Sequence, residues 1–243
     1  MHRVFCGCNL TGRHDLEIHD KDKVHHIRNV LRLKKSDTLV VCDAEGFEYL
    51  SIIEAVSSKC VALKLQPIIP ENVENIFKLT VACAIPKKSK FEDIVDKLTQ
   101  LGVDRIIPLK TQRVIVKVNK NNEISKYTRW EKIALNASEQ SQRNILPVID
   151  NVKNMEEVIS ESCGYDLKLI PTLEKDTLPI KQVLFNSKPK NVLVLIGPEG
   201  DFSPDEVNSA KQLGCIPVSL GRLVLRVETA AVAAAAILKY TYS

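Results

Sequence analysis

Two short apolar runs near the C-terminal end, Val192–Ile196 and Ile216–Leu220, constrain the fold of this chain more than any other feature. Each carries no charge and is closed by a glycine, Gly197 or Gly221, which reads as a strand buried on both faces of a parallel sheet. Between them Gly197-Pro198-Glu199-Gly200-Asp201 forms a tight loop, and Ser203-Pro204-Asp205-Glu206 opens a helix. Ser203 serves as its N-cap, Pro204 suits the first turn and Glu206 completes a capping box. Gly214 ends that helix, and an alanine-rich stretch from Glu228 forms the last one. The unit is therefore strand, glycine loop, helix, taken twice. In open parallel sheets, ligands bind beyond the carboxyl ends of the strands, where such loops gather. The loops do not spell a known phosphate cradle. G-P-E-G lacks the third glycine of a dinucleotide fingerprint, and no G-K-[ST] follows to make a P-loop.

The rest of the chain supports an α/β protein with a second, β-rich part. With 44% apolar and 26% charged residues in 243, a packed globular fold is expected, and two domains suit the length. Residues 1–70 hold short strands at Arg3–Cys6, Thr38–Cys42, Tyr49–Ala55 and Val61–Leu65, a composition that suits a small barrel. Val24–Leu33 has helical spacing there and sets Arg28 and Arg32 on one face. Gln66–Asn72, with two prolines, is the expected linker. Lys78–Ala84, the helix over Phe91–Leu101 and Val103–Leu109 then make a strand–helix–strand unit. The expected division is 1–70 and 71–243. Trp130 falls on the apolar face of a later helix and is read as core.

Charge and cysteine usage narrow the setting. A net charge of +4 does not by itself mark a nucleic-acid partner, so the spacing of the basic residues carries that argument. Seven cysteines without a C-x-x-C pair indicate a reducing compartment, and the cytoplasm is expected. Cys6 and Cys8 lie closer than zinc motifs favour, so no metal is expected. No apolar run reaches the roughly 20 residues that span a bilayer, and no membrane association is expected. All five histidines precede residue 27, which removes histidine as a base from the C-terminal loops themselves.

Four blocks, in order, resemble the RsmE family of ribosomal RNA methyltransferases in the SPOUT class. They are His26-x-x-x-Val30-Leu31-Arg32; Lys97-x-x-Gln100-Leu101-Gly102-Val103 with Thr111-Gln112-Arg113; the Trp130, Glu139-Gln140, Arg143 and Pro147 block; and GPEG followed by LGRLVLRVETA. Gln100 and Gln112 replace glutamates of the family pattern, and Asp201 replaces the second of two paired glycines. The resemblance implies an N-terminal PUA-like β-barrel that binds RNA and a C-terminal SPOUT domain. That domain would have a mainly parallel sheet and a trefoil knot, which nothing in periodicity predicts. It implies S-adenosylmethionine as cofactor, held by Leu173, Gly197, Gly200, Leu220, Gly221, Leu223 and Leu225. It also implies methylation of N3 of a uridine in 16S ribosomal RNA, as naked RNA or in the small ribosomal subunit.

Uracil N3 is a poor nucleophile until its proton leaves. Arg226, among apolar neighbours and expected to be partly dehydrated, is the candidate to stabilise the resulting charge. Glu199 and Glu174 are the candidate carboxylates. Arg3, Arg28, Arg32, Lys87, Lys90, Arg113, Lys117 and Arg143 are candidate RNA contacts. A homodimer is expected, because the small residues of Ala231–Ala236 permit close helix approach and SPOUT proteins are dimeric by habit. Two rivals stay open at this stage: a non-catalytic RNA-binding or ribosome-assembly protein, and a methyltransferase acting on another nucleotide.

Overall fold

A computed structural model describes residues 1–68, 77–86, 90–113, 120–185 and 187–242, with the side chains of 120–123 outside it. The chain falls into two compact units, Met1–Val73 with Ser138–Leu146, and Glu74–Ala137 with Pro147–Ser243.

The first unit is a five-stranded sheet in the order β1-β3-β4-β5-β2. Its strands are β1 (Arg3–Phe5), β2 (Asp15–Ile18), β3 (Thr38–Cys42), β4 (Glu48–Val56) and β5 (Val61–Ile68). β1 and β3 are parallel and the other pairs antiparallel. The β3–β4 turn is built by Asp43, whose carboxylate accepts from the amides of Glu45, Phe47 and Leu10. Helix α1 (Lys21–His25) runs into a π-turn over His26–Val30. Arg32 then stands in the left-handed region at φ 56°, while the Leu33 amide reaches back to the Ile27 carbonyl. This is a helix-terminating turn, so Arg28 and Arg32 do not share a helical face as their spacing suggested. Val24 and Ile27 are the buried residues that hold α1 and its π-turn to the sheet.

The second unit is an eight-stranded sheet in which every pairing is parallel. Its elements are β6 (Lys78–Ala84), α2 (Lys90–Gln100), β7 (Arg105–Lys110), α3 (Lys120–Ser141, whose residues from Ser138 on fall in the first unit), β8 (Val148–Ile149), β9 (Lys153–Asn154), α4 (Met155–Ser160), β10 (Leu167–Pro171), β11 (Leu178–Pro179), α5 (Ile180–Phe185), β12 (Asn191–Ile196), α6 (Pro204–Gln212), β13 (Ile216–Ser219) and α7 (Val227–Tyr242). The order is β11-β13-β10-β12-β6-β7-β8, with β9 also on β7.

Strand β12 shows why its sequence is apolar throughout. Val192, Val194 and Ile196 face one core with α2 and α7, whereas Leu193 and Leu195 face the other with α4 and α6. Trp130 is core, its ring 4.7 Å from that of Phe91. The alanines of α7 have an internal purpose. Ala231, Ala234 and Ala235 are buried, and α7 lies on α2 and β6. Their small size lets the helix approach the sheet, so they no longer argue for a helix–helix dimer contact. Among the described residues, no helix is long and apolar enough to cross a membrane.

Candidate active site

In a parallel sheet all carboxyl ends lie on one edge, and here the neighbours β13, β10 and β12 bring three loops together there. The loops enclose a cavity of about 290 Å³. Thr172 and Leu173 line it after β10, Gly197–Asp201 after β12, and Leu220–Val227 lead from β13 into α7. Leu173, Leu223 and Val224 stand 61%, 80% and 75% exposed, large apolar side chains left in solvent at the rim. Such a rim suits a ligand with a flat apolar part. Gly200 and Gly221 adopt φ 85° and 141°, and a Cβ built on either meets nothing within 4 Å. The cavity is therefore bordered by accessible main chain at two points. Of the cofactor residues expected from the sequence, all seven line this cavity.

The glycine loop is fastened by a residue that stood out only as a departure from pattern. Asp201 sits at φ 69°, which aspartate tolerates better than most residues. Its Oδ2 accepts bonds of 2.7 Å from both the Thr172 hydroxyl and the Leu173 amide, and Oδ1 accepts one of 2.8 Å from the Phe202 amide. One carboxylate thus joins the loop after β12 to the loop after β10. A second brace comes from the segment after β7. The Arg113 guanidinium donates to the carbonyls of Gly200 and Asp201, and the Gln112 side chain accepts from the Ser203 hydroxyl at 2.8 Å. The expected capping box is present: the Ser203 and Glu206 side chains each take the other's backbone amide. Buried Glu206 also accepts from the Gln112 amide.

The candidate catalytic groups do not all meet. Arg226 and Glu199 line the cavity and both are exposed, so the dehydrated setting expected for Arg226 is not found in this chain. Apolar neighbours in sequence did not imply burial, because the segment from Gly221 to Arg226 is itself loop at the surface. Among the described residues, the Arg226 guanidinium makes no hydrogen bond or ion pair. Glu174 lies outside the cavity lining and is paired with Lys211 at 2.6 Å. Glu228, in the first turn of α7, takes an ion pair from Lys90 at 2.8 Å. Lys90, its own backbone amide and the charge of Arg226 hold the Glu228 carboxyl below the usual range.

The basic residues read as RNA contacts divide in the same way. Arg28 and Arg32 are exposed. Arg3 is bound to Glu48 at 2.6 Å, Lys90 to Glu228, and Arg113 to the glycine loop. Arg143 donates from Nε to the Ile145 carbonyl at 3.0 Å. Lys87 and Lys117 lie outside the described residues. The bridges missed in the sequence, Asp201 to Thr172 and Lys90 to Glu228, join partners 29 and 138 residues apart. No local pattern signals either one.

Known proteins resemble this chain over nearly its whole length. The family described as RNA methyltransferase domain matches residues 73–239, and the RNA methyltransferase PUA domain matches residues 20–66. Ribosomal RNA small subunit methyltransferase E of Bacillus subtilis (strain 168) is 31% identical over 225 residues, covering 90% of this chain and 88% of that one. A Legionella pneumophila protein, solved in complex with the bound cofactor SAM, superposes with a TM-score of 0.88 at 30% identity, covering 99% of this chain and 97% of that chain. The small subunit methyltransferase E of Neisseria gonorrhoeae, bound to S-adenosyl methionine, gives 0.87 at 24% identity over 98% and 97% of the two chains, and bears on the fold alone.

Proposed function

This chain belongs to the RNA methyltransferase family that includes ribosomal RNA small subunit methyltransferase E, and from that membership we propose that it methylates N3 of a uridine in 16S ribosomal RNA with S-adenosylmethionine as donor. The observation that carries the reading is the single cavity shared by three strand-end loops, Arg226 and Glu199.

The residues present fit the cofactor. Leu223, Val224 and Leu225 offer an apolar surface for adenine, and the uncrowded main chain at Gly200 and Gly221 lets the ligand approach closely. The Gly200 amide is directed to its polar edge, while Arg113 holds the Gly200 carbonyl and the Ser219 hydroxyl holds both polar groups of Gly221. The cofactor would supply a methyl group on a sulfonium, already activated for attack. What remains for the protein is to bind the uridine, hold its base and let the N3 proton go. Arg226 is suited to the base: its planar fork is uncommitted and places two donors on one carbonyl oxygen as charge develops there. Glu199 is the carboxylate left in the cavity to take the N3 proton at a side-chain oxygen, since Lys211 occupies Glu174. Calorimetric titration of the protein with S-adenosylmethionine tests the cofactor half of this reading. Saturable one-to-one binding that Leu223→Asp abolishes is expected, and no binding to the folded protein would refute it.

The first unit is proposed to bind the RNA, supported by its match to a PUA domain and by exposed Arg28 and Arg32. The trefoil knot is supported by the chain path: after β12 the chain passes β10 to reach β13, then returns as α7 to lie on β6. A homodimer in the bacterial cytoplasm completes the proposal. The exposed apolar side chains of Leu178, Phe185 and Tyr240 support the former, and the free thiols of all seven cysteines the latter. Light scattering at micromolar concentration decides the oligomeric state.

A further inference from the structure

The first unit gathers three metal-ligating side chains, none of them among the residues given a part in RNA binding or methyl transfer above. β2 is an edge strand, held to β5 by only four residue pairs, from Asp15↔Lys64 to Ile18↔Val61. Continuing that antiparallel register one step sets His19 opposite Cys60. Glu17 and His19, two residues apart, point to the same outward side. The result is that His19 Nε2 lies 3.1 Å from Glu17 Oε2, and one donor atom from each of Glu17, His19 and Cys60 lies within 4.8 Å of the other two. Glu17 and His19 are exposed and Cys60 is half-buried.

We propose that Glu17, His19 and Cys60 bind a zinc-type divalent cation. The donor chemistry decides the class. An imidazole nitrogen and a thiolate sulfur favour zinc and its neighbours over calcium or magnesium, which seek oxygen. Three protein donors leave the fourth tetrahedral position to water. Zinc bonds of about 2.0–2.3 Å place neighbouring donors roughly 3.5 Å apart, so rotation of exposed side chains is enough to close the site. The ion ties β2 to β5 just beyond the last backbone pair, where the edge strand has no further ladder to hold it.

The test is titration of the metal-free, full-length protein with cobalt(II), followed by zinc. One equivalent of cobalt should give ligand-field bands and a near-ultraviolet sulfur-to-cobalt charge-transfer band, both removed by zinc, and zinc should raise the melting temperature. Cys60→Ser should lose the charge-transfer band, and His19→Gln should weaken binding by at least about tenfold. Cys6 and Cys8, with sulfurs 3.1 Å apart, are the competing thiols. The double variant Cys6→Ser/Cys8→Ser should therefore keep the whole spectrum. The proposal is overturned if the wild-type protein shows no sulfur band, if the band survives Cys60→Ser or disappears with the Cys6/Cys8 pair, or if zinc leaves the melting temperature unchanged.

Discussion

Replacing Asp201 by Ala should loosen the cofactor loops more than any other single change outside the core. The carboxylate accepts three hydrogen bonds, from the Thr172 hydroxyl and from the amides of Leu173 and Phe202. A bond to a charged acceptor contributes about 1.5–3 kcal/mol, and an exposed donor recovers most of that from water. Leu173 is exposed, so two bonds at the lower end of the range leave about 3 kcal/mol. Alanine at φ 69° adds about 1 kcal/mol of left-handed strain. The expected loss is thus about 3–4 kcal/mol for Asp201→Ala. Asp201→Gly, which restores the paired glycines of the family pattern and removes the strain, should cost about 2–3 kcal/mol, and Asp201→Asn less. Urea unfolding gives the stability, and calorimetry with S-adenosylmethionine gives the affinity. Both should fall in the order Asn, Gly, Ala. If Asp201→Ala unfolds within about 0.5 kcal/mol of wild type and binds the cofactor equally well, the carboxylate is not the tie between the loops, and the reasoning fails.

Three other outcomes are expected. Arg226→Ala should reduce single-turnover methyl transfer by about 10²-fold or more with an unchanged melting curve, and Lys should rescue only in part because a point charge does not reproduce the planar fork; a normal rate in the folded variant would make the residue structural. RNA affinity should fall steeply with salt, and Arg28→Ala or Arg32→Ala should each reduce the slope of log affinity against log salt by roughly 0.7–0.9, read by fluorescence anisotropy, whereas an unchanged slope would remove that arginine from the interface. Acid should destabilise the second unit: burial alone would raise the Asp150 carboxyl, but Arg105 and Lys153 hold it below the usual range, and ion pairs do the same for Glu161 and Glu228. Groups depressed in the folded state contribute stability above their unfolded pKa values of about 4 and lose it as pH falls through the folded values. Urea melts should therefore weaken below about pH 4, and Asp150→Asn should flatten that limb.

What could be read in advance follows from how far each signal travels along the chain. Val192–Ile196 is buried on both faces, so its sequence has no polar alternation, and its shortness, its β-branched residues and the glycine that closes it mark it as a strand rather than a buried helix. Ser203 and Glu206 satisfy a local capping rule, and the box is where they indicate. The two-residue strands β8, β9 and β11 are too short to carry a period, and edge strand β2 was missed as well. Arg32 shows a different limit: the i, i+4 spacing assumed a continuous helix, whereas the chain turns left-handed at that residue. In the site, the loops were legible because glycine and apolar runs mark strand ends. The fastenings were not, since Asp201, Arg113 and Lys90 act on partners brought near only by the fold. Exposure of Arg226 was misjudged for the same reason, as neighbours in sequence do not report neighbours in space.

Incubating the protein with S-adenosylmethionine and small-subunit ribosomal RNA, both free and in assembled subunits, and mapping the product by nuclease digestion and mass spectrometry shows whether the proposed methyl transfer occurs and where. One methyl group per RNA, recovered as 3-methyluridine at a single position, is the predicted result. No transfer by protein that binds both cofactor and RNA, or a methyl group on any other nucleotide, would contradict it.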